Sequence, residues 1–104
     1  MDVTDVDSRP RLGQIVRILR GRDAGKYAIV IGLEEPHFVW LADGDQRKFD
    51  RPKKKNVKHI QMTNVISEEV ADVVENFGRV NNAKLRYALN QYLLQCGKLE
   101  QKGE

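Results

Sequence analysis

The residues with the most chemical potential in this chain are cations. Between residues 47 and 58 stand Arg47, Lys48, Arg51, Lys53, Lys54, Lys55 and Lys58, opposed only by Asp50. A second group, Arg20, Arg22 and Lys26, flanks a short stretch that holds Gly21 and Gly25. Cations carried on loops can follow an irregular row of phosphates. Each phosphate they neutralise releases counterions, so such binding weakens steeply with salt. Arginine adds bidentate phosphate contact and stacking, whereas lysine acts as a point charge. Tyr27, Phe38, Trp40 and Phe49 lie among these cations and could stack on an unpaired base wherever they reach the surface. Phe38 and Trp40 fall on the same face of an alternating strand, which favours their joint burial in the core. The bland readings stand beside these. A lysine-rich run can be a merely solvated surface, and two glycines can serve only their turn.

Other chemistries find less support. His37 and His59 are isolated, and one cysteine cannot build a thiolate metal site. His59 reads as a strand residue or an RNA contact. The stretch Gly21–Lys26 superficially resembles a phosphate loop. It has one residue too few between its glycines, and Tyr27 stands where Ser or Thr is required. Ser67, His59 and Asp72 could be grouped on paper, but no nucleophile elbow surrounds Ser67. We therefore expect no enzyme, no cofactor, no metal and no small-molecule substrate.

Charge placement narrows the partner. The chain has 104 residues and a formal net charge of +3. Residues 1–8 carry three aspartates and no base, residues 9–63 carry 13 bases against 6 acids, and residues 64–104 are close to neutral. The basic character thus belongs to one segment, for which a polyanion is the natural partner. The single Cys96 excludes an internal disulfide and suggests a reducing compartment. The first residues lack the pattern of a signal peptide, and no apolar run approaches the ~20 residues of a membrane span. A soluble cytoplasmic protein with no membrane partner is expected.

The elements that must position these cations follow from hydrophobic pattern. Residues 1–11 read as a flexible acidic tail. Gly13–Arg20 and Lys26–Leu33 are strand-like and enclose a glycine-bearing turn, which is a hairpin signal. His37–Ala42, Gln46–Phe49 and His59–Thr63 read as further short strands, with residues 51–58 as a basic loop. Five short strands over residues 12–66 suggest a small closed barrel, because closure removes exposed edges. The period then changes. Ser67 can cap a helix bearing Val70, Val73, Val74 and Phe77, and Gly78 can end it. Asn81 or Asn82 can cap a second helix carrying Leu85, Ala88, Leu89, Tyr92, Leu93 and Cys96 on one face. On that face Cys96 reads as a buried, inert thiol. Residues 67–97 thus form a helical hairpin, and residues 98–104 read as a disordered tail.

The stretch Leu12–Leu33, LGQIVRILRGRDAGKYAIVIGL, resembles the KOW motif of RNA-binding and ribosomal proteins. Gly13, Val16, Gly21, Gly25, Lys26 and the apolar run Ala28–Ile31 carry the likeness. With Asp43-Gly44 and Lys58–Thr63 it extends over residues 12–66. There it looks like the large-subunit ribosomal protein family L-fourteen-e, as a short bacterial-type member. That resemblance implies an SH3-like barrel, mainly β with an α appendage, binding RNA and typically ribosomal RNA. The long basic C-terminal extensions frequent in that family are not matched here by the near-neutral helical region.

The reading is a non-catalytic RNA-binding protein, ribosome- or rRNA-associated, with ribosomal proteins as further neighbours. Its candidate contacts are Arg20, Gly21, Arg22, Lys26, Arg47, Lys48, Arg51, Lys53, Lys54, Lys55, Lys58 and His59. The alternative is an SH3-like protein-interaction module whose basic loop meets an acidic partner. DNA binding through a helix-turn-helix over residues 67–96 is less supported, because its second helix offers only Lys84 and Arg86 near its start.

Overall fold

A computed structural model describes residues 9–97. The expected tails, residues 1–8 and 98–104, lie outside the described residues, and only Arg9–Arg11 of the first tail falls within them. Strands β1 (Gln14–Ile18), β2 (Tyr27–Glu34), β3 (Phe38–Ala42), β4 (Lys53–Asn56) and β5 (Ile60–Ile66) precede two helices, α1 (Glu68–Phe77) and α2 (Asn82–Gln95). A single 3-10 turn, Val57–His59, separates β4 from β5.

The strands form one antiparallel sheet in the order β4-β3-β2-β1-β5. This corrects the expectation of a closed barrel. β4 and β5 each pair on one side only, and they occupy opposite edges of the ladder. The 3-10 turn between them carries the chain from one edge to the other instead of laying the two strands side by side.

Both faces of the sheet are nonetheless buried, for different reasons. Ile15, Ile29, Ile31 and Ala42 pack beneath Val70, Val80, Leu85, Leu89 and Tyr92 of the helical region. The alternate residues Val16, Ile18, Ala28, Val30, Val39, Leu41 and Ile60 form a second cluster with no helical member. Val16, Val30 and Val39 are fully buried there, so the sheet must curve over its own concave face. Register shifts at Gln14/Val16 and Val30/Gly32 support that curvature, because a bulge bends and twists its strand. Burial on both faces explains the unbroken apolar run of β2. Each such aliphatic side chain contributes roughly 1.5–3 kcal/mol when taken from water.

The helices begin and end where their caps place them. The Ser67 hydroxyl accepts the Val70 N–H at 3.3 Å, Glu68 and Glu69 occupy the first turn of α1, and Gly78 ends it. Asn81 caps α2 by accepting the Lys84 N–H at 2.8 Å.

Three local expectations need correction. Gln46–Phe49 is not a strand. The Asp43 carboxylate accepts the N–H groups of Asp45 and Arg47, both at 2.8 Å, and curls the chain into a side-chain-capped turn. Residues 51–58 are not simply a loop, because Lys53–Asn56 pairs with β3 as an edge strand. Lysines guard such an edge against pairing with other chains, and a run without apolar alternation gives no strand signal in sequence. Cys96 is exposed rather than buried. The stripe Leu85, Leu89, Tyr92 continues to it, but α2 ends at Gln95, and the buried stripe stops at Tyr92.

Candidate nucleic-acid interface

β4 pairs with β3 so that Lys53 lies opposite Leu41, Lys54 opposite Trp40 and Lys55 opposite Val39. Alternate side chains of a strand leave opposite faces. Lys53 and Lys55 therefore belong to the concave side with Leu41 and Val39, and Lys54 to the other side. The three consecutive lysines do not act as one patch.

Lys55 reaches the β1–β2 loop. Its ammonium nitrogen lies 2.8 Å from the point where a Cβ on Gly21 would sit. The Leu19 N–H donates to the His59 carbonyl at 2.8 Å, which fastens the start of that loop to the 3-10 turn. Arg20, Gly21 and Arg22 are thereby brought to the same end of the sheet as Lys55, Lys58 and His59. The loop itself is held by backbone bonds, with Gly25 N–H donating to Ile18 at 2.7 Å and Lys26 N–H to Asp23 at 3.0 Å. Lys53 lines a neighbouring cleft with Ile18, Asp23, Lys26, Asp43 and Arg47. Lys26 is partly engaged there, donating to Gln46 Oε1 at 2.7 Å and lying 3.6 Å from Asp23. Lys48 and Arg51 stand exposed on the β3–β4 connection, where the Arg51 N–H donates to the Lys48 carbonyl at 3.0 Å.

The electrostatics separate these cations into two groups. Among the described residues, Arg20, Arg22, Lys53, Lys55 and Lys58 have no ion-pair partner. Lys54 is committed on its own face. It pairs with Glu34 at 2.9 Å and sits over the rings of Phe38 and Trp40, 4.7 and 5.9 Å from their centroids. The Lys54 hydrogen bond, aided by one from the Trp40 indole N–H at 3.0 Å, holds the Glu34 carboxyl below its usual range. The expectation that Phe38 and Trp40 are buried together fails at Phe38, which is 36% exposed. Trp40 is half-buried and lies over Gly32.

Sequence reasoning passed over Arg17. It stands exposed in β1, opposite Tyr27 of β2 and Gln61 of β5. A charge within an otherwise apolar strand was the signal available. Beside it the Tyr27 ring leans on Tyr92, with centroids 5.6 Å apart.

Comparison with known proteins supplies an independent line. No protein-family model matches the chain. A Bacillus subtilis (strain 168) protein named "Putative ribosome-binding protein YbzG" is 34% identical over 71 residues, which cover 68% of this chain and 96% of that relative. The chain belongs to the YbzG family. The match takes in nearly all of YbzG, so the kinship is not confined to one short motif. Ribosome binding is what the YbzG relative is named for.

Proposed function

We propose that this chain binds ribosomes through ribosomal RNA, without catalysis, using the end of the sheet where the β1–β2 loop meets β4. The observation that carries the reading is the approach of Lys55 to Gly21. It joins two cationic stretches, far apart in sequence, into one surface. On that surface Arg20, Arg22, Lys53, Lys55 and Lys58 have no carboxylate partner among the described residues. Cations that folding leaves unpaired in this way suit a row of phosphates. The name of the YbzG relative, "Putative ribosome-binding protein", supports the ribosome as partner. The KOW-like hairpin, with Gly21 in its loop, supports RNA as the component touched. In this reading the protein is ribosome-associated in the cytoplasm, and the helices brace the sheet.

Co-sedimentation with ribosomal particles across a salt series tests this. The bound fraction of the wild type should fall steeply with salt. In Lys53→Ala/Lys55→Ala the slope of log K against log salt should flatten by roughly one to two units. An unchanged slope removes this edge from the interface. Binding to intact particles with none to naked ribosomal RNA points instead to a ribosomal protein as the partner.

A further inference from the structure

We infer that the row Tyr27–Arg17–Gln61, on the helix-bearing side of the sheet, holds an unpaired RNA base. The inference rests on the RNA-binding reading above and names the kind of RNA that surface accepts. The three residues come from three adjacent strands and are direct register partners, Arg17 facing Tyr27 on one side and Gln61 on the other. Neighbouring strands lie about 4.8 Å apart, so an aromatic ring, a guanidinium and an amide stand side by side at the spacing of a flat heterocycle's edge.

The row lies on the face whose centre is covered by α2, at a point where the helix leaves it open. Tyr92 closes over Tyr27, and beyond it an open groove of about 690 Å³ is lined by Arg17, Gly25, Tyr27, Gln61, Met62, Thr63, Asn64 and Tyr92. Its polar side chains suit a base rather than an apolar side chain. Gln61 and Asn64 each offer a donor and an acceptor, and Arg17 offers donors in a planar fork. The Thr63 hydroxyl is already spent on the Ile15 carbonyl at 2.7 Å, and the Thr63 carbonyl accepts from Gln14 at 2.9 Å. Among the described residues no carboxylate lines the groove and Arg17 has no ion-pair partner.

Position completes the case. Gly25, the last loop residue before Lys26, borders the groove. The same loop begins at Arg20, Gly21 and Arg22. A strand whose phosphates follow those cations can therefore turn one base into the groove. A paired base cannot enter, because its hydrogen-bonding edge is occupied; the preferred ligand is single-stranded or bulged RNA.

The test uses the full chain and short single-stranded RNAs of uniform base, a strand of the same length lacking bases, and a matched duplex. The wild type should bind the best base-bearing strand about tenfold more tightly than the abasic strand. Arg17→Ala and Gln61→Ala replace exposed side chains, and each should shrink that ratio towards one. Lys53→Ala/Lys55→Ala should weaken all single strands alike and leave the ratio intact. Equal wild-type binding of abasic and base-bearing strands overturns the inference. So does an Arg17→Ala variant that lowers every affinity equally. Failure of the wild type to bind any of these RNAs or ribosomal RNA overturns the RNA-binding reading itself, and the base site with it.

Discussion

Lys55 of the edge strand closes onto Gly21 of the first hairpin, its ammonium nitrogen 2.8 Å from the site of a would-be Cβ. Gly21 also has φ +96, a region that side-chain-bearing residues rarely adopt. The backbone conformation disfavours a side chain here, and a Cβ would also push the flexible Lys55 ammonium aside. Gly21→Val should lower stability by about 1–3 kcal/mol through backbone strain and should also displace Lys55. Denaturant midpoints measure the first effect, and Lys55 side-chain chemical shifts the second. A variant of wild-type stability with an unmoved Lys55 would contradict the contact.

Lys54 should behave unlike its two neighbours. Its partner Glu34 is exposed, with a carboxyl held down first by the Lys54 hydrogen bond and then by that of Trp40. A depressed carboxylate contributes stability that is present above its unfolded pKa and is lost as pH falls through the folded value. Lys54→Ala should therefore move the Glu34 titration, followed by carbon-detected NMR, back up towards the ordinary glutamate range. The acid-side loss of whatever stability the pair provides should disappear with it. The salt slope of the proposed ribosome binding should change far less than in Lys53→Ala/Lys55→Ala.

The β3–β4 connection depends on contact with α2. Gly44 has φ +81, and a Cβ on it would lie 2.3 Å from the Asn82 carbonyl and 3.0 Å from the Leu85 Cβ. The Arg86 guanidinium donates to the Gly44 carbonyl at 2.7 Å, and Asn82 accepts the Phe49 N–H at 2.8 Å. Gly44→Ala should cost about 2–3 kcal/mol in chemical denaturation, because strain and collision act together. Leu85→Ala, which empties a fully buried position, should cost about 2–5 kcal/mol. Neither substitution touches the proposed RNA contacts. Any loss of binding at a temperature where the variant stays folded would show that the helices do more than brace the sheet.

Cys96 is exposed at the end of α2. A water-soluble maleimide should label it in the native protein at a rate unchanged by mild denaturant. Labelling that waits for unfolding would restore the buried thiol that the apolar stripe suggests. Tyr92, one turn earlier, is buried, and that burial raises its pKa above the usual tyrosine value, with a Cys96 hydrogen bond adding to the effect. Its phenolate should accordingly appear only above the ordinary tyrosine range in a spectrophotometric titration.

Much of this fold is written locally. The β1–β2 hairpin follows from two apolar runs around a glycine-bearing turn. The helices follow from Ser67 and Asn81 caps and a change of period. Such features depend on residues a few positions apart, so the order of neighbours is enough to specify them. The concentration of cations in residues 9–63 is likewise a property of the sequence alone. Tertiary structure decided which of those cations share a surface. Three consecutive lysines read as one patch until β4 pairs with β3; pleating then sends Lys54 to Glu34 and turns Lys55 towards Gly21. It also decided that the sheet stays open, that Cys96 outruns its cover, and that Arg17 stands between Tyr27 and Gln61. These outcomes depend on register between strands distant in sequence. Shifting a register by one residue reverses every side chain, and no local pattern in a run such as KKKN fixes it.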